Sequence, residues 1–266
     1  MPYLSPALNV MTAAVKKAGR KLIRDFGEVE NLQISMKGPA DFVSVADKRT
    51  ESILVEEFQR VRSGYPILTE ESGLIEGPDK SHRFIIDPLD GTTNFLHGIP
   101  HFAVSVALER DGQLVSAVIY NPISDEMFTA EKGSGAYLND KRLRVAARKD
   151  LKLALAATGI PFLGHGDHEK FRKELGPVMA ATAGVRRFGA ASLDLCWLAA
   201  GRYDAFWERD LAAWDIAAGI LMVREAGGVV TDLSGGQKML EGGDILASNE
   251  ALHPQYLKLL RDATRA

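Results

Sequence analysis

The sequence predicts a mixed α/β chain whose two halves are built differently. In the first half, two amphipathic helical segments precede short strands that are joined by turn signals. From about Leu151 onward, strand and helix signals alternate, which is typical of an α/β layer. The 266 residues, 46% hydrophobic, suffice for one large domain or two modest ones. We therefore expect an N-terminal α+β region over 1–145 and a C-terminal α/β region over 146–266.

Two helices are predicted near the start of the chain. Ser5-Pro6 supplies a capping hydroxyl and a proline for the first helical position, and apolar residues then recur at helical spacing until Gly27. The segment 44–47 reads as a capping box that begins a second helix, which Gly64 ends. The intervening Lys37-Gly38-Pro39 predicts a turn.

Short strands are predicted for the rest of the first half. Asp111-Gly112, between two apolar segments, is a strong hairpin signal. The predicted strands are 65–68, 84–86, 102–109, 113–120, 127–130 and 136–138. They indicate a largely antiparallel sheet against which the two helices pack.

The second half alternates between the two kinds of element. Strands are predicted over 153–157, 185–188, 204–207, 229–230 and 245–247. Helices are predicted over 168–183, 192–200, 214–226 and 252–263. This alternation is the basis for expecting a separate α/β layer.

Composition excludes several classes of function. The net charge of −3 gives no overall basic field for nucleic acid, and the basic run 141–144 with Arg148-Lys149 reads as a solvated surface, the alternative being a nucleic-acid patch. One cysteine, Cys196, excludes an internal disulfide framework. The N-terminus does not resemble a signal peptide, and no apolar run is long enough to span a bilayer. We expect a cytoplasmic protein without a membrane partner.

The most informative segment is I-I-D-P-L-D-G-T-T-N-F, where two aspartates leave an apolar strand. Asp87 and Asp90 lie three positions apart, and Pro88 restricts the backbone between them. Two carboxylates that close repel each other unless one is protonated or a cation neutralises both. Mg²⁺ is bound through carboxylates and substrate phosphate, and the Leu89 carbonyl adds a neutral oxygen. The alternative is that Asp90-Gly91 is an ordinary turn.

The residues that follow indicate an anion site. If a helical turn begins at Gly91-Thr92-Thr93, its free N–H groups face the place where a cation would hold an anion. Glycine permits close approach of the backbone, and Thr92 adds a hydroxyl. Metal ligands and an anion cradle within six residues predict metal-assisted phosphoryl transfer.

Three other acids are candidates because each stands at a strand exit or a helix start. Glu70 follows a short apolar strand in T-E-E-S, and its alternative is a surface turn. Asp215 begins an apolar helix in W-D-I-A-A-G, where a first-turn acid is also favoured by the helix dipole. Asp47 has the alternative of being the acidic partner in the Ser44 capping box. The histidines show no paired metal spacing, and Cys196 is assigned to packing.

Together, D-P-L-D-G-T-T-N-F, W-D-I-A-A-G and T-E-E-S resemble the inositol monophosphatase family, a branch of the lithium-sensitive, magnesium-dependent sugar phosphatases. The bacterial members called extragenic suppressor proteins look closest, and the similarity covers nearly the whole chain. The resemblance implies a five-layer αβαβα sandwich, two or three Mg²⁺ ions per site, and a homodimer.

The resemblance also implies roles for individual residues. The metal ligands would be Glu70, Asp87, Leu89 (through its carbonyl), Asp90 and Asp215. Catalysis would involve Asp47 paired with Thr92 to orient the attacking water, together with Glu70. Substrate would meet Gly91, Thr92, Asp90, Gly189, Ala190, Ala191, Glu208 and Asp215. Lys37 and Asp41 would lie on a flap. The identity of the substrate stays open because His101 and the variable stretch 209–211 depart from the family pattern.

The function implied is Mg²⁺-dependent hydrolysis of inositol 1-phosphate by in-line attack of a metal-activated water. One alternative is a broader sugar phosphatase that acts on fructose 1,6-bisphosphate or a related ester. Another is a regulatory protein associated with transcription or RNA processing, in which phosphatase activity is secondary. The acidic balance of the chain argues against direct binding of nucleic acid.

Overall fold

The computed structural model describes residues 5–29, 34–38 and 41–265. The predicted turn at 37–39 lies partly outside these residues, and the side chains of Lys37 and Asp41 are also outside the described part. The helices are α1 (Pro6–Gly27), α2 (Val45–Val61), α3 (Thr92–Leu96), α4 (His168–Ala181), α5 (Ala191–Ala199), α6 (Ala213–Glu225), α7 (Met239–Gly242) and α8 (His253–Arg265).

The strands include a hairpin near the N-terminus, β1 (Ile34–Gly38) and β2 (Asp41–Ser44). The first large sheet contains β3 (Ile67–Thr69), β4 (Gly73–Ile75), β5 (His82–Asp90), β6 (Ala103–Arg110), β7 (Gln113–Asn121), β8 (Glu126–Glu131), β9 (Gly135–Leu138) and β10 (Lys141–Arg142). The second contains β11 (Leu155–Thr158), β12 (Gly184–Arg186), β13 (Ala205–Glu208), β14 (Val229–Thr231) and β15 (Ile245–Ser248).

These elements stack in five layers. α1 and α2 cover one face of the first sheet, while α5 and α6 lie between the two sheets. α4 and α8 cover the outer face of the second sheet. The order is therefore helix, sheet, helix, sheet, helix, which confirms the αβαβα sandwich.

The first sheet is largely antiparallel, as predicted, with strand order β10-β9-β8-β7-β6-β5-β3-β4. The β6–β7 hairpin turns at Asp111-Gly112, where both residues have positive φ. One pair departs from the pattern, because β3 runs parallel to β5. That pair brings the ends of β3 and β5 to the same edge of the sheet.

The second sheet is mixed and has the order β12-β11-β13-β15-β14. β11 is parallel to both of its neighbours, whereas β15 is antiparallel to both of its own. Parallel neighbours need crossovers, and the intervening helices supply them. The predicted alternation of strand and helix is thus confirmed.

Helices in the middle layer are apolar on every side because they are buried by both sheets. In α6, all eight residues from Ile216 to Val223 are buried. Cys196 is buried in α5, which agrees with the packing role predicted for it. In contrast, α1 begins after Ser5 and α2 after the Ser44 capping box, and both carry one apolar stripe.

Several short elements were not predicted from the sequence: β1, β2, β4, β10 and α7. Each spans only two to five residues. Segments this short carry too little periodicity to identify, and pairing with a neighbour decides whether they form. No described helix combines the length and the apolar character needed to cross a bilayer.

Candidate active site

The acidic residues of the first sheet meet at one edge. Asp87 and Asp90 are in the last residues of β5, where the register against β6 shifts between them. Such a bulge re-aims side chains and ends regular pairing. Thr69 of β3 pairs in parallel with Ile86 of β5, so Glu70 emerges beside Asp87. The parallel pair therefore joins T-E-E-S to D-P-L-D.

Asp215 reaches the same place from the middle helical layer. It lies in the first turn of α6, where its Oδ2 accepts a hydrogen bond from the backbone N–H of Ala212 at 2.7 Å. α6 packs against β5, β6 and β7, which carries its first turn to the edge where β5 ends. Asp215 therefore satisfies both interpretations of the sequence: it is a first-turn acid of α6, and it lies beside the other candidate site residues.

The four carboxylates influence one another strongly. Burial raises the pKa of Asp87 well above its usual range, and the charges of Glu70, Asp90 and Asp215 raise it further. For Asp215, low-dielectric surroundings are the largest cause of a raised pKa, followed by repulsion from Asp90. Burial also raises the pKa of Asp90. Such a cluster favours a cation that neutralises several charges at once.

In Asp87 and Asp90, hydrogen bonds to one carboxylate oxygen fix the orientation of the side chain. Asp87 Oδ1 accepts from the Leu89 N–H at 2.9 Å. Asp90 Oδ2 accepts from both the backbone N–H and the hydroxyl of Ser192, which begins α5. These bonds hold the carboxylates in place although they repel one another.

The donors suit a hard divalent cation. Carboxylates and the Leu89 carbonyl are the oxygen ligands that Mg²⁺ prefers. Among the described residues, no group of three or more His, Cys, Asp or Glu side chains has the arrangement of a formed metal site. The fit therefore rests on the kind of donor and on the mutual electrostatic influence of the carboxylates.

The loop that carries Glu70 is held by a buried acid from α2. The carboxylate of Glu51 accepts hydrogen bonds from the Thr69 hydroxyl at 2.6 Å, the Glu71 N–H at 2.9 Å and the Ser72 hydroxyl. Glu51 is only 5% exposed. Three donors converge on this one side chain, so the T-E-E-S turn is fixed to α2.

Asp47 and Thr92 are paired. Asp47 Oδ2 accepts from the backbone N–H and the hydroxyl of Ser44 at 2.7 and 2.6 Å, while Oδ1 accepts from the Thr92 hydroxyl at 3.1 Å. The Thr92 hydroxyl also lies 3.0 Å from the Leu89 carbonyl. Burial raises the pKa of Asp47. Asp47 thus closes the capping box and also reaches the site.

Gly91 connects β5 to α3 in a conformation that favours glycine, with φ of 90°. A Cβ there would lie 3.0 Å from the His101 carbonyl oxygen, so the surrounding backbone is close. Asn94 braces this region, because its Nδ2 donates to the carbonyls of His101 and Phe188, each at 2.8 Å. The start of α3 is therefore tied to the loop before α5.

These groups surround a cavity of about 220 Å³. Its walls combine acidic side chains from β5, from the turn after β3 and from α6 with the backbone of two loops. The lining includes Glu70, Asp90, Gly91, Thr92, Gly189, Ala190, Ala191, Asp194, Glu208 and Asp215. A second cavity of about 350 Å³ shares Glu70, Gly159, Phe162, Glu208, Leu211 and Asp215 with it.

Glu208 lies at the end of β13 against the backbone of Gly159. A Cβ at Gly159 would lie 1.7 Å from Glu208 Oε1, so only glycine leaves room for this carboxylate. Burial raises the pKa of Glu208 to about 8, Asp90 adds to the shift and Arg187 opposes it. Asp194, buried in α5, also has a raised pKa through burial and the charge of Glu208.

The structure brings the candidate site residues to one region. Most line the cavity directly, whereas Asp47 is joined through Thr92, and Asp87 through its interaction with Glu70 and Asp215. Their chemical roles stay predictions. Sequence reasoning missed several residues that position this region: Glu51, Asn94, Gly159, Ser192 and Asp194. Asn94 stands inside the motif already identified, but the others carry no local signal.

Comparisons with known proteins identify the family of the chain. The family model for the inositol monophosphatase family matches residues 4–265. An inositol-1-monophosphatase from Rhizobium meliloti (strain 1021) is 61% identical over 246 residues, 92% of each chain. A Nus factor SuhB from Vibrio cholerae serotype O1 is 46% identical over 249 residues, again 92% of each chain.

A solved structure shows the same fold. The crystal structure of extragenic suppressor protein suhB from Bartonella henselae matches with a TM-score of 0.94 and 56% identity, over 97% of this chain and 99% of that one. The fold, the cluster of carboxylates and these matches define a phosphoric monoester hydrolase. The chain belongs to the inositol monophosphatase family, which confirms the resemblance found in its motifs.

The crowding of carboxylates leads to a prediction about stability. With a chelator present at pH 8, Asp87→Asn should raise Tm by about 2–4 °C, because relief of about 1 kcal/mol of repulsion shifts Tm by this much in a chain of this size. Asparagine keeps the oxygen that accepts from Leu89. Thermal scans with and without Mg²⁺ test this, and the variant should lose most of the rise in Tm that Mg²⁺ causes in the parent.

The matched control is Asp111→Asn, which changes an exposed acid in the β6–β7 turn. It should leave both Tm and its response to Mg²⁺ unchanged. An Asp87→Asn protein that is less stable than the parent under chelation would show that repulsion is not the dominant effect at this position.

Proposed function

We propose that this chain hydrolyses inositol 1-phosphate in a reaction that requires Mg²⁺. Its membership of the family carries the proposal, and the relative of highest identity reported above bears the name inositol-1-monophosphatase. The observation that supports it within the chain is the convergence of Glu70, Asp87, Asp90 and Asp215 beside the cavity. A broader range of sugar phosphates remains the alternative.

The residues that would hold Mg²⁺ are Glu70, Asp87, Asp90 and Asp215, with the Leu89 carbonyl. Two or three ions are expected per site. Bound Mg²⁺ would neutralise the charge of the phosphoryl group and make a water molecule more acidic. Phosphate monoesters hydrolyse extremely slowly without a catalyst, so neutralisation of charge supplies much of the required stabilisation.

The chain's own contribution to proton transfer is assigned to Asp47 and Thr92. The Thr92 hydroxyl lies 3.1 Å from Asp47 Oδ1, and both are fixed by other bonds. This pair would orient the attacking water and accept its proton. Because burial raises the pKa of Asp47, its carboxylate is a stronger base than an exposed aspartate. Glu70 would help to hold the same water.

Substrate recognition is assigned to the walls of the 220 Å³ cavity. The backbone of Gly91 and the Thr92 hydroxyl would contact the phosphate, and Asp90 would contact a ring hydroxyl. The loop of Gly189, Ala190 and Ala191 lines the same cavity. Glu208 would accept a hydrogen bond from a hydroxyl of the ring, which gives a preference for polyols.

The direct test is release of phosphate from inositol 1-phosphate with purified protein. Release should require Mg²⁺, should be inhibited by lithium as the family resemblance implies, and should fall by at least about 100-fold in Asp47→Asn. Fructose 1,6-bisphosphate and an aryl phosphate are measured in parallel. Higher kcat/KM for fructose 1,6-bisphosphate than for inositol 1-phosphate would reject the named substrate in favour of the broader sugar phosphatase.

A second prediction concerns how Glu208 is placed. Gly159→Ala should raise KM for inositol 1-phosphate about tenfold while sparing the aryl phosphate, because the added methyl group displaces the Glu208 carboxylate. Glu208→Ala should have the same selective effect, and the double variant should be no worse than either single one.

The control for Gly159→Ala is Gly27→Ala at the end of α1, where an added Cβ meets no atom within 4 Å. It should leave both substrates unaffected. Equal loss on inositol 1-phosphate and on the aryl phosphate in Gly159→Ala would mean that Glu208 does not set specificity.

We also propose a cytoplasmic homodimer, which the family resemblance implies. An exposed apolar side chain supports an interface: Ile99 is 48% exposed. It lies two residues before His101, whose ring contacts Phe188 and Trp197. Light scattering after gel filtration should give twice the 29.0 kDa chain mass.

A transcription-associated role is supported by relatives named Nus factor SuhB. Capture of transcription proteins by folded Asp87→Asn would separate that role from catalysis, and no capture would argue against it.

A further inference from the structure

A third, separate cavity of about 440 Å³ lies at the opposite end of β5 from the acidic site. His82 and Phe84, in the first residues of β5, line it, whereas Asp87 and Asp90 are in the last residues of that strand. None of its lining residues lines either cavity beside the acids. The volume is within the range of small-molecule sites.

The cavity is on the face of the first sheet that α1 and α2 cover. Phe84 and Leu108 pack in the core under these helices. Side chains two residues apart on a strand share a face, so His82 and Arg110 lie on that same face beyond the core. The first residues of α1, together with Arg62 directly after α2, complete the walls. α1 begins and α2 ends at this point, so the two helices leave the sheet surface open.

Three cationic side chains converge on this space: Arg62, Arg110 and Lys132. One acid, Glu131, is also in the wall. Within the described part of the chain, neither Arg62 nor Arg110 forms an ion pair, whereas Arg49, Arg83, Arg148 and Arg209 do. Two guanidinium groups without a carboxylate partner in a concave space attract an anion and are suited to phosphate in particular. The Arg62 guanidinium also donates to the Val61 carbonyl at 3.1 Å.

A buried hydroxyl is also available. Ser116 of β7 is 2% exposed, lines the cavity, and pairs across the sheet with Leu108 and Glu131. Its hydroxyl forms no hydrogen bond to another described residue. Tyr65 and His82 stack face to face, with ring centroids 4.4 Å apart, and form a flat aromatic wall.

We propose that this cavity is an accessory site for a small phosphorylated ligand. Arg62, Arg110 and Lys132 bind its phosphate, Ser116 donates to a phosphate oxygen, and Glu131 accepts from a hydroxyl or amino group elsewhere in the ligand. The site is distinct from the acidic cavity, because it provides positive charge directly and needs no cation to hold an anion. The inference does not depend on the proposed function.

The test measures binding of AMP, inorganic phosphate and adenosine to the full chain by calorimetry, with a chelator present to keep metal from the acidic cavity. AMP and phosphate should each bind at one site per chain, and higher ionic strength should weaken both. Adenosine should bind at least about tenfold more weakly than AMP. If AMP binds more tightly than phosphate, the Tyr65–His82 wall adds affinity by contact with the flat adenine ring.

The variants are Arg110→Gln and Lys132→Gln, both at exposed positions whose replacement should leave the fold intact. Each should weaken AMP about tenfold, as expected for loss of one charged hydrogen bond. Arg172→Gln, an exposed arginine on α4 outside the cavity, is the matched control and should bind AMP like the parent. The proposal is overturned if neither anion binds, or if both cavity variants retain the parental affinity.

Discussion

The repulsion among buried carboxylates is the constraint on which the rest of the site depends. Asp87 is surrounded by Glu70, Asp90 and Asp215 in a region from which water is largely excluded, where charges interact much more strongly than in solvent. Left to themselves, these groups would separate or take up protons. A site of this kind requires a rigid frame that holds like charges together, and the layered sandwich supplies one.

The frame works because the acids come from three elements, β5, the turn after β3 and α6, and hydrogen bonds fix Asp87, Asp90 and Asp215. Ser192 at the start of α5 holds Asp90, and the backbone of Ala212 holds Asp215. Glu51 acts one step further away, since it holds the turn that carries Glu70. Backbone N–H groups and hydroxyls offset part of the electrostatic cost without neutralising the carboxylates themselves. The crowding of these carboxylates is thus expected to cost stability.

The two ends of β5 have opposite electrostatic character, which the small net charge of −3 conceals. Acids collect where the strand bulges and leaves the sheet. Basic groups collect at the other end, where α1 and α2 no longer cover the sheet. Under the two proposals above, such a molecule would bind phosphate in two ways, through cations held by Asp87 and its neighbours, and directly through Arg62 and Arg110.

Local signals in the sequence determined the elements that begin or turn sharply. The Ser44 capping box and the Asp111-Gly112 hairpin are short-range features, because the residues that form them are adjacent in the chain. The closeness of Asp87 and Asp90 was fixed for the same reason. Recognition of three motifs then supplied the layered fold and the candidate ligands, which pattern alone left open.

Tertiary structure decided everything that depends on residues far apart in the chain. The parallel pairing of β3 with β5 places Glu70 beside Asp87, and no local pattern distinguishes that pairing from an antiparallel one. The need for glycine at Gly159 exists only because Glu208, 49 positions later, lies against it. The sequence by itself determined local conformation and the kinds of chemical group; packing between layers decided which groups meet, because burial and charge act through space rather than along the chain.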